Sequence, residues 1–348
     1  MTTHRELANH KQSTELMAIA ENGNLERLKA LLDQFEYSDV VIASSMHGAA
    51  KNGHAEIVQL LIDKGADCNY QNGYSLNYAI RAGHVSTVKT LIDNGAIYHF
   101  KSQKEAIQSA AKNGNLDMIK LLFENCGFYI EPLRDIFSCA CESGNFELVK
   151  YIFDYASNFP KGIFLTIFET APLIHAAKSG NIEIVHFLLN QEDYDYKSDI
   201  DEAVVYAAEN GHLEIVQCLV DKGANTRDNS NVSNSSSFFY RPTSAIAQAT
   251  IHGHLNVVKY LVEKGAAKKS GMKVKIIELA ARQGHIEIVE FMLSIVKKVN
   301  LNKAVRNAIS YKRDDIARLL IKHMLKYTKP DEDAICDMVL KLLYTQRQ

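Results

Sequence analysis

Thirteen histidines and six cysteines are the side chains of this 348-residue chain best suited to metal or nucleophilic chemistry. Cys139 and Cys141 stand one residue apart, with His175 further along, an arrangement a thiolate nucleophile and a histidine base could use. No second ligand pair accompanies Cys139 and Cys141 at zinc spacing, and neither a P-loop nor a G-x-G-x-x-G is present. Five histidines, His54, His84, His212, His254 and His285, each directly follow a glycine. Asn24, Asn115, Asn145 and Asn181 hold the same place elsewhere. Asparagine and histidine can both cap a helix, whereas asparagine is a poor metal ligand, so the pattern predicts helix caps rather than a metal centre. The cysteines Cys68, Cys126, Cys139, Cys141, Cys218 and Cys336 lie at or near positions of small and aliphatic residues, and read as reduced and buried. No catalytic residue, metal or cofactor is expected, and the chain reads as a non-enzyme.

The elements behind these residues are clearest in AAKNGHAEIVQLLIDKGAD, residues 49–67. Ala49 and Ala50 let a neighbouring helix approach closely. Gly53 supplies left-handed backbone where one helix stops, and Glu56 suits the positive end of the next. Ile57, Val58, Leu60 and Leu61 form its apolar face, and Gly65 ends it. The stretch recurs: glycines 23, 53, 83, 114, 144, 180, 211, 253 and 284 follow one another at steps of 30, 30, 31, 30, 36, 31, 42 and 31 residues. A tenth, degenerate copy puts Lys312 at the glycine place before DDIARLLI. A unit this short cannot bury its own apolar face, so neighbours must stack as a solenoid.

Residues 44–54, SSMHGAAKNGH, with His47 in the histidine place, resemble the ankyrin repeat, as do APLIHAAKSGN (171–181), GHLEIVQCLVDKGAN (211–225) and GHLNVVKYLVEKGAA (253–267). The resemblance covers about residues 12–325 and implies an all-α ankyrin-repeat solenoid of about ten helix-turn-helix units. It further implies a non-catalytic protein–protein interaction module: adaptor, scaffold or inhibitor. The alternatives are a substrate-receptor subunit of a larger enzyme complex, such as a ubiquitin ligase, and an enzyme with its site in an insertion. The Asn, Lys, Ile and Tyr bias is similar in style to ankyrin proteins of giant DNA viruses and intracellular bacteria, which implies the cytoplasm, for a pathogen that of its host.

Residues 1–12 read as a polar lead, 13–325 as the array and 326–348 as a C-terminal capping helix. Two insertions interrupt the array. The one near 154–170 carries Tyr155, Phe159, Phe164 and Phe168, too many aromatics for a bare loop; the one near 225–242 begins NTRDNSNVSNSSS, which cannot bury enough apolar surface to order itself. The formal net charge of −2 argues against bulk nucleic-acid binding, and the longest apolar runs are too short to insert in a membrane. Charge is uneven, with 17 Lys/Arg against 9 Asp/Glu over 268–348. A monomer binding an unidentified protein partner is expected.

What remains is surface. The place two before each turn glycine should point outward on the concave face, and there Lys51, Arg81 and Lys112 form a basic ladder one repeat apart. The place five before adds Tyr78, Ser109 and Gln248, and the hairpins add Tyr74, Phe100, His99 and Phe128. Lys51, Tyr74, Tyr78, Arg81, Phe100, Ser109 and Lys112 are the candidate partner-binding residues, suited to an acidic segment, with the three charges expected to serve no purpose in folding.

Overall fold

The computed structural model describes residues 2–98, 100–126, 130–226 and 244–327, and every regular element among them is a helix. Two compact units divide the chain, Met1–Pro172 and Leu173–Gln348. Within each, short antiparallel helix pairs follow one another. In the first unit the first helices are Asp39–Lys51, Tyr70–Ala82, Phe100–Lys112 and Ile130–Ser143, each followed by a second helix, as Ala55–Asp63 follows Asp39–Lys51. Thr2–Glu21 and Leu25–Gln34 precede them, so the polar lead expected over 1–12 is helical from Thr2. In the second unit the first helices include Ile200–Glu209, Ala245–Ile251, Ser270–Gln283 and Asn302–Ser310, the last followed by Asp314–Tyr327.

First helices pack on first helices and second helices on second helices. The alanine pairs make the first contact possible: Ala49, Ala50, Ala110, Ala111, Ala207, Ala208, Ala280 and Ala281 are all buried. The second helices contribute the larger groups, such as Ile57, Leu61, Met118 and Ile119, each worth roughly 1.5–3 kcal/mol when fully buried. No helix among the described residues is long and apolar enough to cross a membrane.

The insertion after Phe146–Ser157 folds against its own unit. Lys161–Phe164 is a single helical turn followed by a 3-10 turn at Leu165–Phe168. Phe168 meets Phe137 edge-on at 6.3 Å between ring centres, Phe164 meets Phe153 at 5.1 Å, and Ile167 is buried. Where the sequence suggests Val299 as the inward residue of the ninth hairpin, Val296 and Leu301 are buried and Val299 is half-buried. The Ser/Asn-rich stretch from 227 onward and the segment 328–348, read from the sequence as an unordered loop and a capping helix, lie outside the described residues.

Candidate partner-binding face

The first-helix faces rest on the turns that end each first helix. All nine turn glycines are left-handed, with φ from 69° at Gly114 to 95° at Gly284, and the degenerate tenth copy holds Lys312 in the same conformation at φ 56°. Asparagine behaves in these turns as expected: Asn24, Asn115, Asn145 and Asn181 accept hydrogen bonds from the first-turn amides of their helices.

Histidine does not. None of the five histidines caps through its side chain. Each ring instead reaches back one repeat. His54 Nε2 lies 3.0 Å from the Glu21 carbonyl oxygen, His84 Nε2 3.1 Å from that of Lys51, and His285 Nε2 2.8 Å from that of Ile251. His212 and His254 do the same to Lys178 and Glu209. A carbonyl only accepts, so Nε2 carries the hydrogen. These carbonyls belong to the last turn of a helix, which otherwise lacks donors. The ring also lies over the preceding turn glycine: a Cβ on Gly53 would stand 2.6 Å from His84 Nδ1, and one on Gly211 2.5 Å from His254 Nδ1. The Gly-His step that the sequence presents as a cap is therefore a joint between repeats.

On this frame stands the predicted face of the first unit. Tyr70–Ala82 opens with three consecutive left-handed residues, Gln71, Asn72 and Gly73, at φ 53°, 60° and 74°. Left-handed backbone costs an ordinary L-residue roughly 1–2 kcal/mol, and such strain concentrates where structure serves a contact. Immediately after it, Tyr74 and Tyr78 stand one helical turn apart, 46% and 40% exposed, their rings 6.0 Å apart. Both pack on His47 of the preceding first helix, at 6.0 and 6.4 Å, and Tyr70 stacks on the same ring at 5.7 Å. His47 is half-buried with Nε2 lacking a hydrogen-bond partner; burial lowers its pKa, opposed by a backbone hydrogen bond at Tyr70.

The ladder is exposed as expected at Lys51, Arg81 and Lys112, yet two of its rungs are matched. Arg81 meets Glu105 at 3.7 Å and Lys112 meets Glu142 at 3.1 Å, each carboxylate coming from the next repeat. These two cations are therefore not free charges: each faces a carboxylate, and that of Glu142 is only 15% exposed. Beyond them, burial pushes the Asp135 carboxyl up, but Lys104 at 2.8 Å and Arg134 outweigh it and hold the group below the usual carboxylate range.

Ser109 is half-buried, and the side chain of Phe100, like residues 99 and 128, lies outside the described residues. Gln248, expected on the outward face, is 3% exposed. Of the cysteines, Cys68 and Cys141 are buried but Cys139 and Cys218 only partly so; all four thiols are free. Burial pushes the Cys141 thiol far up and raises that of Cys139, the reverse of what a nucleophile needs. Among the described residues no three His, Cys, Asp or Glu side chains come together as a metal site.

A family profile described as Ankyrin repeats (3 copies) matches residues 3–72, 46–134, 107–200, 136–230, 173–271, 205–305 and 247–331. The chain belongs to the ankyrin-repeat family. Ankyrin repeats are generally protein–protein interaction modules. No curated protein matches the chain. The histidine joints and the aromatic cluster above are thus features of an ankyrin array.

Proposed function

We propose that this ankyrin array is a non-catalytic recognition protein that binds a partner protein through the first-helix face spanning 39–112. It acts as a monomer in the cytoplasm, where its thiols would stay reduced. Tyr74 and Tyr78 are the contact anchors; Lys51, Arg81 and Lys112 border them and favour a partner segment carrying acidic residues. The observation that carries this reading is the exposed tyrosine pair fixed on the His47 ring. Aromatic side chains held rigid in the free protein lose little entropy on binding, and such residues dominate interface energetics.

The test is affinity capture from eukaryotic cytosol with the parent and with the Tyr74→Ala/Tyr78→Ala variant, read by quantitative mass spectrometry. The expected result is a set of captured proteins that the variant loses at least tenfold, about 1.4 kcal/mol, with the fold retained by circular dichroism. An unchanged set would place the interface elsewhere.

A further inference from the structure

The last two first helices, Ser270–Gln283 and Asn302–Ser310, carry a second surface of different chemistry. Together they hold Lys273, Lys275, Arg282, Lys303 and Arg306 against one acid, Glu278. Lys275 and Arg282 are seven residues apart, two helical turns, and so share a face; Lys303 and Arg306, three apart, share another. Both faces point outward, because Ile276, Ile277, Ala280 and Ala281 on one helix and Ala304, Val305 and Ala308 on the other are buried. Two contacts join them into one surface. Lys303 Nζ lies 2.8 Å from Glu278 Oε2, and the Arg282 guanidinium sits 5.7 Å from the centre of the Tyr311 ring, which is 52% exposed. The single acid is therefore engaged, with 17% of its side chain exposed. Over 268–327 the count is 14 Lys/Arg to 5 Asp/Glu, and four of those five acids stand on the second helices.

Earlier in the same unit the sign is reversed. Ile200–Glu209 carries Asp201, Glu202 and Glu209 and no Lys or Arg, and Ala245–Ile251 carries no charge. Over 181–226 there are 10 Asp/Glu and 2 Lys/Arg.

We infer that the first-helix surface of Lys275, Arg282, Lys303, Arg306 and Tyr311 is a docking site for a short acidic segment of a partner protein. Charge complementarity selects an anionic partner, and the acidic first helix Ile200–Glu209, two repeats back beyond the uncharged Ala245–Ile251, limits that partner's length. Adjacent first helices stand about 8–10 Å apart, so the surface is roughly 20 Å across, the reach of about six extended residues. A long polyanion such as nucleic acid would run from the basic repeats onto the acidic ones and be repelled there. The site shares no residue with the tyrosine face.

The test uses the full chain and a fluorescein-labelled 16-residue peptide with six glutamates, a control peptide with glutamine in their place, and a 16-residue oligothymidylate. Fluorescence anisotropy at low salt should show saturable binding of the acidic peptide, weakening steeply as salt rises. The Arg282→Glu/Arg306→Glu variant should lose at least tenfold in affinity, and the milder Arg282→Gln/Arg306→Gln variant should lose part of that while melting like the parent. Arg81→Gln should bind the peptide as the parent does. Equal binding by the double glutamate variant, equal binding of the control peptide, or tighter binding of the oligothymidylate than of the acidic peptide would each overturn the proposal.

Discussion

The first-helix face over 39–112 and that over 270–310 stand on the same left-handed turns and on buried alanines, yet they balance their cations to different degrees. In the first, Arg81 and Lys112 each meet a carboxylate of the following repeat, and what protrudes is a tyrosine pair. In the second, Lys303 takes the one acid of those helices, Glu278, four further cations outnumber it, and the exposed aromatic, Tyr311, serves as a seat for Arg282. The frame is silent about partner chemistry. What differs is how many cations on one repeat find an anion on the next, which is a property of neighbouring repeats and not of any one motif.

The comparison fails if the two faces do not share a frame, and the turn glycines test that. Gly53→Ala and Gly253→Ala should each cost about 3 kcal/mol, combining left-handed strain with displacement of a histidine ring and loss of its hydrogen bond. Gly83→Ala meets only Asn115 Nδ2 at 3.4 Å and should cost roughly 1–2 kcal/mol, from backbone strain alone. Urea denaturation of the three variants would show equal losses if the rings do not matter.

The charge contrast is broken or sharpened next. Lys112→Glu sets a carboxylate against the largely covered Glu142 and should cost about 1 kcal/mol, while Arg306→Glu should fall within about 0.5 kcal/mol of the parent. Similar losses in both would mean that the cations of the two faces are not differently matched. Lys312→Gly relieves left-handed strain beneath the basic face and should stabilise the protein by about 0.5–1 kcal/mol, read as a raised denaturation midpoint. No gain would mean that Lys312 side-chain contacts offset its backbone strain.

The smallest effect is a pH dependence confined to the tyrosine face. Burial depresses the His47 pKa, so the unfolded chain binds the proton more readily. Its contribution is fully present above the unfolded value of about 6.5 and is lost as pH falls below it toward the depressed folded value. Melting temperature should thus fall between pH 7.5 and 5.5, and less so in His47→Gln. An identical pH response in the two proteins would remove His47 as the cause.

The turns were legible because few residues other than glycine tolerate positive φ, and their spacing exposed even Lys312 as an occupant of that place. The helix pairs followed from the apolar positions. The histidines were misread, since a cap is a local event and the true acceptor lies 33 residues back for His54 and His84. A signal was present: wherever histidine follows a glycine, a glycine also stands one repeat earlier to receive its ring. The matched ladder was missed for the same reason. Glu142 occupies in its own repeat the place Lys112 holds in the one before, so reading the column down the array rather than residue by residue would have paired them. The left-handed run at Gln71 and Asn72 had no such signal beyond the Asn-Gly step, because neither residue demands positive φ.

One joint is unlike the others in how much chain it spans. His254 closes on Glu209 from 45 positions away, whereas His285 closes on Ile251 from 34, with oxygen distances of 2.9 and 2.8 Å. The additional residues leave the hydrogen bond and the ring-over-glycine contact as they are elsewhere. Register in this array is thus set by end-to-end closure and not by the length of what lies between. For protein engineering, the ring and the carbonyl it closes on are the pair to conserve: a repeat moved between arrays should keep its alignment where both ends of that closure travel with it.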